Sequence, residues 1–481
     1  MTNDLIKQSK RGVFTLISGQ FFRFLVQIAA IVIMSRLLSA DDYGLTAIVL
    51  SVVSIGEIFR DFGLSSAAIQ AESLSQREKS NLFWLNTLIG LILSVVLFLS
   101  SWLIADFFHD ARLIPISQVL AVVFVINGVA TQYKAGLNRD LKLKEITVSE
   151  SVAQFISTVA AIALAAYGIG YWAVVYQQVI NYLLVLVLFA FYHGWIPSLP
   201  CFKTNVTHFS KFGLNMLGAQ LLSQVIRSAD TFIIGKFFGT DVLGIYNRAQ
   251  QIVLISLNRI NSPSTTLALP VLSRLKNDDI EYYKFLNYGQ SVLLQAVSFT
   301  FSMLAINAKW IVLVVLGAKW DSAVYIVQAL CVVAIIQVAS YSHFWICLSK
   351  NLMGKRFLFS IYTLPVFVSF ILIGAALGSL ETTLVGLGLS NLILWLCSIV
   401  FLRKNGIATN EITHAPYVIC FFYMTAILSL MAISHFMNVN IVIKHIILNL
   451  LLISAVVSMY VFSDAFRMSI KNIINLKAKA R

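Results

Sequence analysis

Arginines at positions 23, 60, 227, 248 and 259 fall inside long apolar runs or at their margins. A charged side chain facing lipid at mid-membrane costs roughly 2.5–3.5 kcal/mol, so several of them together mark a polar interior. In the first run Gln20, Arg23 and Gln27 stand at i, i+3 and i+7, one face of a helix. In the seventh, Gln220, Gln224, Arg227 and Asp230 repeat that stripe. Fixed guanidinium groups beside amides suit a multiply charged anion with attached polar groups, because Arg binds oxyanions bidentately and does not deprotonate. Local pairing is the competing reading: Arg227 with Asp230, or Arg60 with Glu57, at helical spacing. Arg60 and Arg259 lie near run ends, where snorkelling to the interface is available. Arg23 has no acid within its own run.

Carboxylates are scarcer. Glu57 and Asp61 share a face at i, i+4 around Arg60. Two carboxylates close together in low dielectric favour uptake of a proton or cation, which makes them coupling or gating candidates. An electroneutral knot with Arg60 is the structural alternative. Asp230 is the acid of the second stripe. Glu150, near the start of the fifth run, is expected at the interface. The eighth run, with Asn247, Arg248, Gln250, Gln251, Asn258 and Asn261, is polar enough to predict an interior position. The acidic pair Asp278–Asp279 lies in a charged stretch, 270–287, read as a solvated surface helix.

The elements that must position these groups are marked by a repeat. Residues 36–44 read RLLSADDYG and residues 236–244 read KFFGTDVLG. Arg36 aligns with Lys236, Asp41 with Asp241 and Gly44 with Gly244, without a gap. Upstream, Gln20 aligns with Gln220. Two-fold internal repetition in an apolar chain is a signature of alternating-access transporters. Asp41 and Asp241 are read as turn or cap residues, or else as parts of an external gate.

The chain is 59% hydrophobic and 12% charged, against roughly a quarter charged in soluble domains. Its apolar runs are continuous rather than alternating, which selects helices over strands. About fourteen segments of spanning length tile the 481 residues. The first is expected to be a permanent helix rather than a cleaved leader. Most of the 35 Lys and Arg fall on the side of the N-terminus, the even-numbered connections and the tail. The other side holds Arg36, Arg112, Lys236, Lys309, Lys319 and Lys444. That asymmetry predicts both termini in the cytoplasm and argues against nucleic acid as the reason for a net charge of +14. The five cysteines lack metal-site spacing and read as buried thiols. Phosphate loops, hydrolytic triads and metal-ligand runs are absent from the sequence, so no cofactor is implied.

With its paired turns, about fourteen helices and a basic N-terminus ahead of an Arg-bearing first helix, the chain resembles Wzx-type flippases. These are polysaccharide transporters of the multidrug/oligosaccharidyl-lipid/polysaccharide exporter superfamily. The stretch FRDFGLSSAAIQ at 59–70 looks closest to the colanic-acid-exporter branch. The resemblance implies an all-α, V-shaped membrane protein: an N-lobe over 1–200, a C-lobe over 201–403, and two further helices with a basic tail over 404–481. It implies flipping of polyprenyl-pyrophosphate-linked oligosaccharides from the cytoplasmic to the periplasmic leaflet of a bacterial inner membrane. Downstream polymerase and chain-length machinery would be its partners, alongside membrane lipids. Arg23 and Arg227, with Arg248, would hold the pyrophosphate, and an ion gradient or consumption of the product would drive transport. Two rivals remain. Drug or cation exporters of the same superfamily usually have twelve helices and acidic cavities, whereas interior Arg outnumber acids here. Polysaccharide polymerases carry a large periplasmic loop, which this sequence lacks.

Overall fold

Continuous apolar runs leave each backbone amide only its own helix as a partner in lipid, and the computed structural model follows that rule. It describes residues 2–61, 75–200, 207–436 and 441–462, and every element within them is helical. In chain order these are α1 (Thr2–Leu37), α2 (Ala40–Asp61), α3 (Gln76–Phe108), α4 (Leu113–Arg139), α5 (Leu143–Ala166), α6 (Trp172–His193) and α7 (Thr207–Arg274). There follow α8 (Asp279–Ile306), α9 (Ala308–Val315), a 3₁₀ turn (Ala318–Trp320), α10 (Ala323–Ala339), α11 (Tyr341–Ser349), α12 (Met353–Ala376), α13 (Leu380–Lys404), α14 (Thr409–Phe436) and α15 (Ile441–Phe462). The described residues contain 12 helical stretches long and apolar enough to cross a membrane. The chain is a multi-pass membrane protein. The two arms of α7, where the seventh and eighth of the fourteen expected segments fall, are not among those twelve.

Both copies of the repeated turn interrupt their helices at the same register. The first breaks at Leu38–Ser39, between α1 and α2. The second is a single non-helical residue inside α7, Gly239, with φ 80°. Positive φ is freely available to Gly, so the second copy turns with one residue.

The chain divides into two units, Met1–Gly244 and Ile245–Arg481. In the first, α3 packs along α4, α5 along α6, α4 along α6 and α1 along α5. Phe83, Tyr133, Leu137, Ile146 and Phe189 form its aromatic-rich knot, with Trp195 against it. The outer face of α3 shows Leu88, Leu91, Ile92, Val95, Leu99 and Leu103, a wall for acyl chains. In the second unit α8 packs on α10 and α14, and α12 on α13. Tyr423 there donates to Gln295 Oε1 at 3.0 Å, giving a buried phenol its partner.

One expectation is corrected, and the cysteine reading holds for three of the four described. The stretch 270–287 is not a separate surface helix: α7 runs to Arg274, the chain turns, and α8 starts at Asp279. Asp278 caps α8, accepting from the Glu281 amide at 3.2 Å, and Asp279 pairs with Lys350 at 2.9 Å. Of the cysteines, Cys331, Cys347 and Cys420 are buried free thiols and Cys397 is partly exposed; Cys201 lies outside the described residues.

Candidate functional site

A cavity of about 490 Å³ opens within the first unit. Its charged lining comes from three helices: Arg23 of α1, Lys134 of α4 and Glu150 of α5. Periodicity explains the rest. On α4, Asn127, Thr131, Lys134 and Asn138 follow one another at i, i+4, i+7 and i+11, one face, and all four line the cavity. On α5, Gln154 lies one turn beyond Glu150, and α6 supplies Asn181, Tyr182 and Phe189.

Glu150 lies between two cations. Its Oε1 accepts from Lys134 Nζ at 2.8 Å, and its Oε2 accepts from Arg23 Nη1. The carboxylate is 22% exposed, Arg23 29% and Lys134 49%. Two cations and one anion leave this triad one unit positive. Around it stand amides and a phenol that donate and accept hydrogen bonds, a chemistry that fits a polyhydroxylated ligand bearing negative charge.

Beside it, a second cavity of about 320 Å³ is lined by Ser54, Glu57, Gln178, Tyr182 and apolar side chains of α2 and α4. Asn127 Nδ2 donates to Glu57 Oε2 at 2.5 Å. Tyr182 therefore lines both spaces, and Asn127 of the first bonds Glu57 of the second.

The other expected residues are spread out. Gln20 is exposed and Gln27 half-buried, and neither lines either cavity. Gln220 is exposed. Arg227 is exposed on the first arm of α7 and donates to Gln224 Oε1 from Nε at 3.0 Å and Nη2 at 2.7 Å. Its partner is thus the amide one turn back rather than Asp230. Gln224 in turn donates to Ser54 of α2 at 2.8 Å. Asp230 is buried and accepts from the Thr231 amide at 2.7 Å. Arg248 belongs to the second unit, where its Nη2 donates to Asn247 Oδ1 at 3.0 Å. The side chains of Arg60, Asp61 and Arg259 lie outside those described.

Glu150, expected at the interface, also lines the cavity: α5 begins at Leu143 and α1 lays Arg23 against its inner face. Lys134 joins it from α4, which continues to Arg139. The signal that finds both is the polar face 127–131–134–138, read together with Glu150 and Gln154 at i, i+4.

A second locus is the repeated turn itself, whose two copies meet within the first unit. A Cβ placed on Gly44 would lie 1.8 Å from the Thr240 carbonyl oxygen, and one on Gly244 would lie 1.8 Å from that of Ala40. Ala40 and Thr240 are themselves a repeat pair, so the contact is reciprocal. Asp41 closes it: it accepts from the Thr240 hydroxyl and from Arg112 at 2.5 and 3.0 Å. Arg112 also grips Asp110 at 2.7 Å, holding that carboxyl below its ordinary range through hydrogen bonding. Lys236 donates to the Phe107 carbonyl at 2.6 Å and lies 3.0 Å from His109 Nε2. The turn-capping bond falls to Asp42, which accepts from the Ser39 amide at 2.9 Å. Asp241, the counterpart of Asp41, is exposed.

Residues 33–325 match the family described as polysaccharide biosynthesis protein. The teichuronic acid biosynthesis protein TuaB of Bacillus subtilis (strain 168) is 27% identical over 346 residues, 68% of each chain. The lipopolysaccharide biosynthesis protein WzxC of Escherichia coli (strain K12) is 23% identical over 363 residues, 73% of this chain and 72% of WzxC. Among solved structures, the lipid II flippase MurJ in an inward closed conformation shares the fold with a TM-score of 0.67 at 14% identity, covering 92% of this chain and 98% of MurJ. An inward-facing multidrug resistance MATE family transporter gives 0.62 at 14% identity, covering 81% of this chain and 96% of its own.

Proposed function

The chain belongs to the polysaccharide biosynthesis protein family, and from that premise we propose that it flips polyprenyl-pyrophosphate-linked oligosaccharides from the cytoplasmic to the periplasmic leaflet. It is a transporter of the bacterial inner membrane with both termini in the cytoplasm, not an enzyme, and it hands its product to polymerase and chain-length machinery. The lobes 1–200 and 201–403 are the bodies that alternate, with the helices of 404–481 beside them.

The observation that carries this reading is the cavity lined by Arg23, Lys134 and Glu150 among amides. A pyrophosphate diester bears about two negative charges, and Arg and Lys in a half-buried site bind phosphate by charge-assisted hydrogen bonds. Asn127, Asn138, Gln154 and Asn181 match sugar hydroxyls, each able to donate and accept. A cationic drug would meet a net positive triad, which disfavours the exporter alternative. The polyprenyl tail stays in lipid while the headgroup enters. Arg23 is a headgroup ligand here. Arg227 and Arg248 are candidates for later positions along the path, and Gln20, Gln27, Gln220 and Gln224 line it.

The test is flipping of a fluorescent polyprenyl-pyrophosphate oligosaccharide in proteoliposomes by wild type, Arg23→Gln/Lys134→Gln and Arg23→Gln/Arg227→Gln. Transport by wild type, lost in normally folded variants, supports the reading. Transport that survives Arg23→Gln/Lys134→Gln removes the headgroup assignment. Its absence from wild type, in an assay validated on a known flippase and several glycans, removes the function.

A further inference from the structure

We infer that Glu150 is a displaceable counter-ion that takes up one proton when a diphosphate binds Arg23 and Lys134. The inference rests on the flippase reading and adds how its site is coupled. Each oxygen of the Glu150 carboxylate already holds one of the two cations. An incoming diphosphate needs the same two partners, so it and the carboxylate compete for them.

Charge decides what happens next. The resting triad is one unit positive. Adding a headgroup of two negative charges while Glu150 stays ionised gives a site one unit negative, with a carboxylate stripped of both partners in a half-buried place. Adding it with one proton on Glu150 gives a neutral site. Among described residues, the charged or titratable groups lining the cavity with Glu150 are Arg23 from α1, Lys134 from α4 and the Tyr182 phenol from α6. The diphosphate's two charges offset both cations once they are engaged, which leaves no net positive charge for the carboxylate, and a phenol adds none. Removal of opposite charge and retention in low dielectric both favour the protonated carboxyl. Lys134 is 49% exposed and Glu150 22%, so solvent supplies the proton. The step is balanced: two ion pairs to Glu150 break, two to diphosphate oxygens form, and one O–H bond forms on the carboxylate. Release of the headgroup reverses it and returns the proton.

The experiment is calorimetric titration of the purified full-length protein with a short-chain polyprenyl diphosphosugar carrying one sugar, in buffers of differing ionisation heat. Where Glu150 is ionised in the free protein and protonated in the complex, wild type is expected to take up about one proton per probe bound, with affinity rising about tenfold per unit fall in pH. Glu150→Gln, which removes the competing charge, is expected to take up none and to bind roughly tenfold tighter at neutral pH. Glu150→Asp keeps the coupling with a displaced pH midpoint. Binding by wild type without proton uptake, or uptake unchanged in a folded Glu150→Gln protein, overturns the inference and leaves the flippase reading standing. Failure of wild type to bind the probe at all overturns both. If Glu150→Gln does not fold, the wild-type proton count decides alone.

Discussion

The glycine seam and the cation cavity sit in the same unit, yet they are held by opposite kinds of contact. At the seam, backbone meets backbone: Gly44 against the Thr240 carbonyl and Gly244 against that of Ala40. In the cavity, two long cationic side chains share one carboxylate. Steric contact is short-ranged and tolerates no added atom, because packed interiors respond to a single methylene. An ion triad on flexible stems re-pairs as a ligand arrives. The seam is therefore built to be either made or broken, and the cavity to adjust by degrees.

The largest effect should come from the seam. Gly44→Val or Gly244→Val places carbon where a backbone carbonyl oxygen lies, and because backbone cannot step aside the cost reaches or exceeds the upper end of the about 1–3 kcal/mol typical of over-packing. That shifts the seam-closed population by roughly a hundredfold or more. The check is maleimide labelling of Leu243→Cys, beside Gly244 and fully buried while the seam is closed, which should quicken while affinity for the diphosphate probe changes little. Unchanged labelling would mean the contact is not what holds this conformation.

Next comes Arg23→Gln, the converse experiment. Hydrogen bonds to charged groups contribute about 1.5–3 kcal/mol, so probe affinity should fall roughly ten- to a hundredfold with Leu243→Cys labelling unaltered. If either variant moves both readouts equally, the two regions are one device and the contrast collapses.

A smaller change is expected from Asp41→Asn, which weakens the pairing to Arg112. Arg112 is 45% exposed, and exposed pairs contribute about 0–1 kcal/mol, so labelling should rise only a few-fold. Acid should have the least effect. The Asp110 carboxyl is held below its ordinary range by Arg112, so its pairing contributes fully above the unfolded carboxylate value. That contribution is lost as pH falls through the lower folded value. Labelling by an acid-stable thiol reagent should rise slightly below about pH 4, and less in Asp110→Asn.

The seam was legible in the sequence because it is written twice: RLLSADDYG and KFFGTDVLG share a register. The all-helical class was legible too, since unbroken apolar runs permit little else. The cavity was half legible. Arg23 stood out as a charge without an acid in its own apolar run, but its acid arrives from α5, across a tertiary contact that no helical spacing encodes. Lys134 was hidden by its place near a helix end, where a Lys reads as an interfacial charge. Conversely, the stripe containing Gln20 and Gln27 obeys helical periodicity, yet only its Arg lines the cavity. Glu57 fell on a real polar spot, held by Asn127 of a different helix. Identity and spacing locate a charged face; which face meets which is settled by packing.

The reciprocity of Gly44 and Gly244 also sets an order of events during synthesis. The first turn of the repeat leaves the ribosome with no partner, since its complement is encoded 200 residues later. At the usual 5–20 residues per second that is a wait of roughly 10–40 s. By the end of that interval six helices have been threaded into the bilayer around an open notch at Gly44. Mutations that speed or stall translation between residues 44 and 244 would thus act on assembly without altering a single contact of the finished protein.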